Sequence, residues 1–324
     1  MLIHPGAVVA PILLTITAAL GASAAGQDAA ADPEANAGPT YVRLLGEPRP
    51  LMSTPTHEYH GCWSPDGKRI GFARRDDEVS YCTFWTLDPA TGAEEHIDVH
   101  VVGDMHFGWA GGGKEIVFDA RDEGGPPYVC RYSFETKETR RLTPEGVVAT
   151  QPACSRDGRF ACYGVHTREG TQIWIYDLEK EEARQVTQGG APDKARPRFS
   201  ADGESIIYIV QQGRRTDYHR VDIATGESEP LTDDPHFHSF VTCSPDGSLL
   251  AFDSRRRDGH DIWVMPATGG AMQRLISSRG QDAGPDWSPD GRQIVFCTTR
   301  EGTFDLWIAD VEILQRRQRQ QPAD

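Results

Sequence analysis

A short phrase recurs six times along this chain: Trp63-Ser-Pro-Asp-Gly67, Trp109-Ala-Gly-Gly-Gly113, Cys154-Ser-Arg-Asp-Gly158, Phe199-Ser-Ala-Asp-Gly203, Cys243-Ser-Pro-Asp-Gly247 and Trp287-Ser-Pro-Asp-Gly291. Its final glycines stand 46, 45, 45, 44 and 44 residues apart. That period belongs to the blades of a β-propeller rather than to helical arrays. Asp-Gly between two strand patterns supplies residues that tolerate positive φ, so each copy predicts a tight hairpin.

Fixed offsets from each glycine carry the pattern further. Five residues on lies an aromatic (Phe72, Phe118, Tyr163, Tyr208, Phe252, Phe296), and three residues on an apolar residue (Ile70, Ile116, Ala161, Ile206, Leu250, Ile294). Such alternation is one face of a strand. Across a polar loop, Trp85, Cys130, Trp174, His219, Trp263 and Trp307 form the next column. Twelve residues beyond the first five of these stand Ile97, Leu142, Val186, Leu231 and Leu275, marking an outer strand. Twelve beyond Trp307 is Arg319, inside a polar run, so the sixth repeat has no outer strand downstream.

A substitute exists at the other end of the repeats. Leu51 precedes Gly67 by the sixteen residues that separate Leu231 from Gly247, and Gly46-Glu47 matches Gly226-Glu227. The expected fold is therefore all-β: a six-bladed β-propeller of four-stranded antiparallel blades, with residues near 49–53 crossing the ring junction to complete blade six. Joining the two ends in one sheet removes edges open to aggregation. At 38% hydrophobic residues the chain can supply one large core.

The expected domain limits are a signal peptide at 1–24, a flexible linker at 25–40, the propeller at 41–312 and a polar tail at 313–324. Residues 7–20 form an apolar run short for a bilayer span, and Ala22-Ser23-Ala24 follows with the small-residue spacing a signal peptidase prefers. A periplasmic or secreted location is expected. The leader lacks Lys and Arg, which makes an uncleaved anchor the rival reading. A net charge of −15 speaks against nucleic acid as a partner, because phosphate binding wants a basic surface. A monomer is expected. Of the seven cysteines, Cys154 and Cys243 share the Trp63 column, Cys130 the Trp85 column, and Cys162 and Cys297 lie in the second strand pattern, so buried free thiols are expected ahead of disulfides.

The repeated Trp-Ser-Pro-Asp-Gly-Lys with a following Ile-x-Phe, the Trp-centred strand and Arg141-Leu142-Thr143 resemble the propeller of the TolB family, over residues 41–312. The resemblance implies six blades and, by the family's namesake in the Tol-Pal system, a periplasmic protein that binds a peptidoglycan-associated lipoprotein and other partners through the propeller. That namesake carries an α/β domain ahead of its propeller. Here 16 residues (25–40) separate the expected cleavage point from the ring, so the expected resemblance is to the propeller alone. Many unrelated functions use this scaffold, and function must come from the site.

In a propeller the innermost strand of each blade borders the central channel, and these strands are expected just before each phrase. Aligned on the phrase, His60, His106, Gln151 and Arg196 share one column, and Glu58, His238 and Asp282 share another. All seven are candidate binding residues at the channel face. His60, His106 and His238, with oxygen from Glu58 or Asp282, form a candidate site for one divalent metal ion. Oligogalacturonate lyases, which use TolB-like blades and bind metal through clustered histidines, are similar at His236-Phe-His238. The alternative is that these histidines bond strand ends and channel water.

Other signals of catalysis are sparse. No Gly-x-Ser-x-Gly elbow occurs. Gly111-Gly112-Gly113-Lys114 sits in the hairpin column and runs into a strand pattern, so it reads as a turn rather than a phosphate loop. Asp76-Asp77, Asp233-Asp234 and Arg255-Arg256-Arg257 read as solvated loop charge. Two function classes result: a non-enzymatic scaffold binding an envelope protein or glycan at one face of the ring, which the balance favours, and a metal-assisted polysaccharide lyase or related carbohydrate enzyme.

Overall fold

The structure, a computed structural model, describes residues 40–75, 82–101, 106–190 and 192–315. The expected signal peptide, the linker up to residue 39, residues 316–324 of the tail and Asp76-Asp77 lie outside the described residues. Two strands come first, β1 (Thr40–Leu44) and β2 (Arg49–Pro50). Blade one is β3 (His57–Trp63), β4 (Ile70–Arg75), β5 (Cys82–Leu87) and β6 (Glu94–Val101); blade two is β7 (Phe107–Ala110), β8 (Glu115–Arg121), β9 (Pro127–Ser133) and β10 (Thr139–Arg141). Blade three is β11 (Ala149–Cys154), β12 (Phe160–Thr167), β13 (Gly170–Asp177) and β14 (Glu182–Gln185); blade four is β15 (Lys194–Phe199), β16 (Ser205–Gln212), β17 (Arg215–Asp222) and β18 (Ser228–Pro230). Blade five is β19 (Phe237–Cys243), β20 (Leu249–Arg256), β21 (Gly259–Pro266) and β22 (Gln273–Ile276), and blade six holds β23 (Asp282–Trp287), β24 (Gln293–Thr298) and β25 (Asp305–Gln315). Every blade is an antiparallel sheet, and six make the ring. Among the described residues no helix is long and apolar enough to cross a membrane.

The aromatic column and the Trp column face each other across the second and third strands of every blade. Phe72 opposes Trp85, Phe118 Cys130, Tyr163 Trp174, Tyr208 His219, Phe252 Trp263 and Phe296 Trp307. The core is not one ball but six wedges, each filled from two neighbouring blades. Phe72, Phe118, Phe252 and Phe296 are buried in them, and deleting such a ring costs about 3–5 kcal/mol. All seven cysteines are free, and burial pushes the Cys130, Cys162, Cys243 and Cys297 thiols up to about 12.

The phrase itself works as a clasp. Ser64 Oγ donates to Asp66 Oδ1 (2.7 Å) and accepts the Arg69 amide (2.9 Å), while Asp66 Oδ1 also accepts the Lys68 amide (3.1 Å). The same three bonds recur around Ser155, Ser200, Ser244 and Ser288. Gly67 stands at φ 70°, where a side chain would be strained. In blade two the triple glycine forms a short 3-10 turn between β7 and β8, not a phosphate loop. The Arg-Leu-Thr phrase has a comparable reason. Leu142, Val186 and Leu231 donate their amides to the third strand, and the hydroxyl of the next residue, a Thr, accepts an amide of that strand (Thr143 from Val129, Thr187 from Ile173, Thr232 from Tyr218).

Blade six closes as the Leu51 spacing requires. β2 pairs with Trp307 and Ile308 of β25, and the Leu51 and Met52 amides both donate to Leu306 O, repeating the bifurcation that Leu231 and Thr232 make on Tyr218 O. The junction is also longer than residues 49–53. β1 pairs with the far half of β25, from Thr40 on Gln315 to Leu44 on Val311. Residues 313–315, expected in the polar tail, are therefore strand, because β1 gives their backbone a partner. Gln273 of blade five bonds both the amide and the carbonyl of Val42. Deleting residues 40–53 should lower the melting temperature by several degrees and drive association through the bared edge of β25. Calorimetry and light scattering check this; an unchanged melting point in a monomer would refute it.

Candidate functional site

The inner strands β3, β11, β15, β19 and β23 each slip register against their neighbour, between Tyr59/Cys62, Thr150/Ala153, Ala195/Arg198, His238/Val241 and Ala283/Asp286. These are β-bulges. At them His60, Gln151, Arg196 and Gly284 take φ of 58°, 60°, 52° and 60°. For the three that are not glycine this stores on the order of 1 kcal/mol each. The surroundings hold them there by collecting the amides that the bulge frees. Gln151 N donates to Asp119 Oδ2 (3.3 Å), Arg196 N to Gln151 Oε1 (2.8 Å), Phe240 N and Gly284 N to Asp253 Oδ1 (3.0 and 3.3 Å), and His60 N to Cys297 Sγ (3.1 Å).

The bulges bring one expected column together. The His60 ring lies 5.5 Å from His106 and 4.9 Å from Phe240, His106 stacks on Phe240 at 5.3 Å, and the Arg196 guanidinium sits 4.4 Å over the same phenyl ring. Blades one, two, four and five thus meet across the axis. Burial holds His60 and His106 well below the ordinary imidazole value, and nearby Arg196 and Arg198 add to it. Arg198 Nη2 donates to His60 Nε2 at 3.1 Å, so the His60 proton sits on Nδ1. Neither ring nitrogen of His106 has a partner among the described residues.

Glu58, His238 and Asp282 do not join them. Each is wholly buried; Glu58 and Asp282 are tied inside their own blades, and His238 is held between blades four and five. Glu58 pairs with Arg74 (2.8 Å), which stacks over Trp85, and Asp282 pairs with Arg300 (3.2 Å), which stacks over Trp307. His238 rests on Tyr218, meets Phe252 edge-on and bonds Asp234 (2.9 Å), which also holds Arg256 over Trp263. Loop charges at 233, 234 and 256 are therefore paired rather than merely solvated, Asp233 with Arg215 at 2.8 Å.

The metal trio does not assemble. Among the described residues no three His, Cys, Asp or Glu side chains are grouped to hold a metal ion. His238 is engaged as above, and the guanidinium of Arg198 occupies the place from which a cation would reach His60 Nε2.

A cavity of about 240 Å³ opens instead on the hairpin face. Trp63, Trp109, Phe199, Trp287, Pro65, Pro245 and Pro289 line it, and a column outside the expected set, Cys62, Ala153, Arg198, Thr242 and Asp286, lies deeper. Asp286 accepts the Trp63 amide (2.8 Å) and the Thr242 hydroxyl (2.9 Å). Burial lifts its carboxyl to about 6, against the pull of those donors and of Arg198. The available signal was an Arg and an Asp in a column whose other members are small and uncharged.

This fold defines a six-bladed propeller with an open mouth on its hairpin face. The TolB beta propeller domain matches residues 45–232 and 194–318, and the chain belongs to that family. An uncharacterized protein of Agrobacterium fabrum is 38% identical over 161 residues, 46% of this chain and 53% of its own. The Tol-Pal system protein TolB of Francisella tularensis is 33% identical over 119 residues, 36% of this chain and 27% of its own. The chain thus spans about half or less of the length of these relatives. Among solved structures, TolB from Acinetobacter baumannii matches with a TM-score of 0.65 at 23% identity, covering 75% of this chain and 60% of that one. An oligogalacturonate lyase in complex with manganese matches at 0.57 and 14%, covering 85% and 98%. At such identities the structural matches show the fold alone.

Two substitutions separate the electrostatics of the channel. Asp286, raised above 3.8, takes a proton in the folded chain before the unfolded one, so its contribution to stability falls as pH rises from 3.8 to about 6. Asp286→Asn removes this. Relative to the parent, the variant should gain about 2 kcal/mol between pH 4 and pH 7, discounted because the carboxyl borders the cavity. Urea melts at both pH values check it, and a constant offset would refute it. His106 acts in the opposite sense: depressed below 6.5, it costs stability as pH falls through that value. His106→Phe keeps the stack on Phe240 and should reduce the loss on acidification to pH 5 by about 1 kcal/mol or more; an unchanged loss would count against the buried, unpartnered imidazole.

Proposed function

We propose that this chain is an exported TolB-like propeller that acts as a non-enzymatic scaffold in the cell envelope and binds a partner protein at the hairpin face. The observation that carries the reading is the cavity: a concave mouth walled by Trp, Phe and Pro, residues that bury large area at little entropic cost and dominate protein-binding hot spots. Its walls belong to a ring braced by the serine–aspartate clasps, so the site is preorganised. Family membership and the apolar 7–20 segment with Ala22-Ser23-Ala24 support an envelope location.

The test uses the full chain expressed with its own leader. Intact mass of protein recovered from the periplasm should show residues 1–24 removed. The tagged protein and an Ala201→Trp variant, whose indole fills the mouth, are then compared as baits on envelope extract by quantitative mass spectrometry. A protein held by the parent and lost from the variant supports the reading. Equal recovery, retention in the cytoplasm, or stoichiometric metal with cleavage of polygalacturonate would overturn it.

A further inference from the structure

Two cations stand alone in their repeat columns, and both belong to the cavity. Arg198 occupies the position held elsewhere by Cys62, Gly108, Ala153, Thr242 and Asp286. Its guanidinium donates to the neutral His60 ring (3.1 Å) and to Pro197 O (3.1 Å), and no carboxylate among the described residues lies within ion-pair distance of it. Enclosing a cation without an acceptor charge is costly. Arg156 stands in the hairpin position filled elsewhere by Pro, Ala or Gly. It is exposed and reaches across the mouth from blade three to Pro289 O of blade six (2.8 Å). A single solvated bond of that kind exchanges at little cost.

We propose that the cavity takes an acidic segment of a partner polypeptide, one carboxylate seated on Arg198 at depth and a second drawn to Arg156 at the rim. The inference rests on the hairpin face being the partner site and adds the chemistry of the partner. Both sites carry guanidinium forks suited to carboxylates, and the cavity lining sets these two guanidinium groups against one carboxyl, Asp286. A dianionic phosphate is disfavoured by the neighbouring Asp286 carboxyl. A sugar acid would find the lining hydroxyls already engaged, Ser155 and Ser200 in their clasps and Thr242 on Asp286, between Trp, Phe and Pro walls. An acidic peptide with apolar residues between its carboxylates suits both the cations and the walls.

The probe is a fluorescein-labelled hexapeptide of alternating Glu and Leu, with its Gln-for-Glu twin, titrated into the full protein by anisotropy at low salt. The Glu peptide should bind about tenfold or more tightly than the twin. Arg198→Met should abolish that preference, Arg198→Lys should keep part of it, and Arg156→Ala should weaken binding severalfold and flatten its salt dependence. Equal binding of the two peptides, or an Arg198→Met protein of unchanged melting point that still prefers Glu, overturns the proposal. If Arg198→Met fails to fold, the Arg198→Lys and Arg156→Ala titrations decide. Displacement of the peptide by oligogalacturonate but not by the twin would move the site to sugar acids and also overturn it. An envelope partner lost with Ala201→Trp but kept with Arg198→Met removes the carboxylate anchor and leaves the scaffold reading intact. Preference for Glu with no partner captured does the reverse.

Discussion

Everything in this molecule depends on the backbone pairing of residues 40–52 with residues 306–315. Each blade buries its apolar face only against the next, so an open row of blades would leave one face of its last wedge wet. The cluster between blades six and one draws Met52 and Leu51 from one end of the chain and Phe304, Leu306 and Ile308 from the other. The cluster between blades five and six takes Val42 from β1 in the same way. Loop-closure entropy must be met before these contacts form, since the partners lie more than 250 residues apart. That cost is offset by hydrogen bonds along both β1 and β2 and by the Gln273 clamp on Val42.

A closed ring fixes where the inner strands lie, and the bulges decide what they present. A regular strand would send alternate residues to opposite faces. The slip in β3, β11, β15 and β23 turns His60, Gln151, Arg196 and Gly284 into the left-handed region. The freed amides are satisfied by Asp119, Asp253, Gln151 and Cys297, so the strain is retained because neighbouring groups require it. The packed His60, His106 and Phe240 rings follow from this geometry, and the cavity floor lies beside them.

The repeat made the fold legible in unusual detail. Leu51 could be aligned to Leu231 by spacing alone, and the structure repeats even the bifurcated bond that Leu231 makes. What spacing could not show was β1, because Thr40–Leu44 pairs with a part of β25 that has no counterpart in the other blades. The candidate site was half legible. His60, His106, Gln151 and Arg196 meet because they share a column, and all but His106 also share a bulge. Glu58, His238 and Asp282 share a column too, yet their column points into ion pairs of Glu58 with Arg74 and Asp282 with Arg300, and a hydrogen bond of His238 to Asp234, partners that lie on other strands or loops. Partner choice at that level depends on side-chain reach across a blade, which alignment of the phrase does not encode.

In a repeat protein, conformity to a column marks a structural duty, so departures from it invite a functional reading. Departure alone is a poor criterion. Glu58 and Asp282 depart from Ala149 and Lys194 in their column, and each is answered by an arginine of its own blade that also caps a tryptophan. The stronger criterion is a departure whose charge has no opposite charge within ion-pair distance. Arg198 meets it: its nearest bonded groups are a neutral imidazole and a carbonyl, and it faces a cavity open to solvent. Asp286, across the same cavity, shows the reciprocal effect, with a carboxyl raised because burial outweighs every donor it has. Asp286 also joins blade six to blades one and five through the Trp63 amide and the Thr242 hydroxyl, whereas a scaffold that only had to hold six blades together would fill the Arg198 position with a small residue, as Ala153 and Gly108 do.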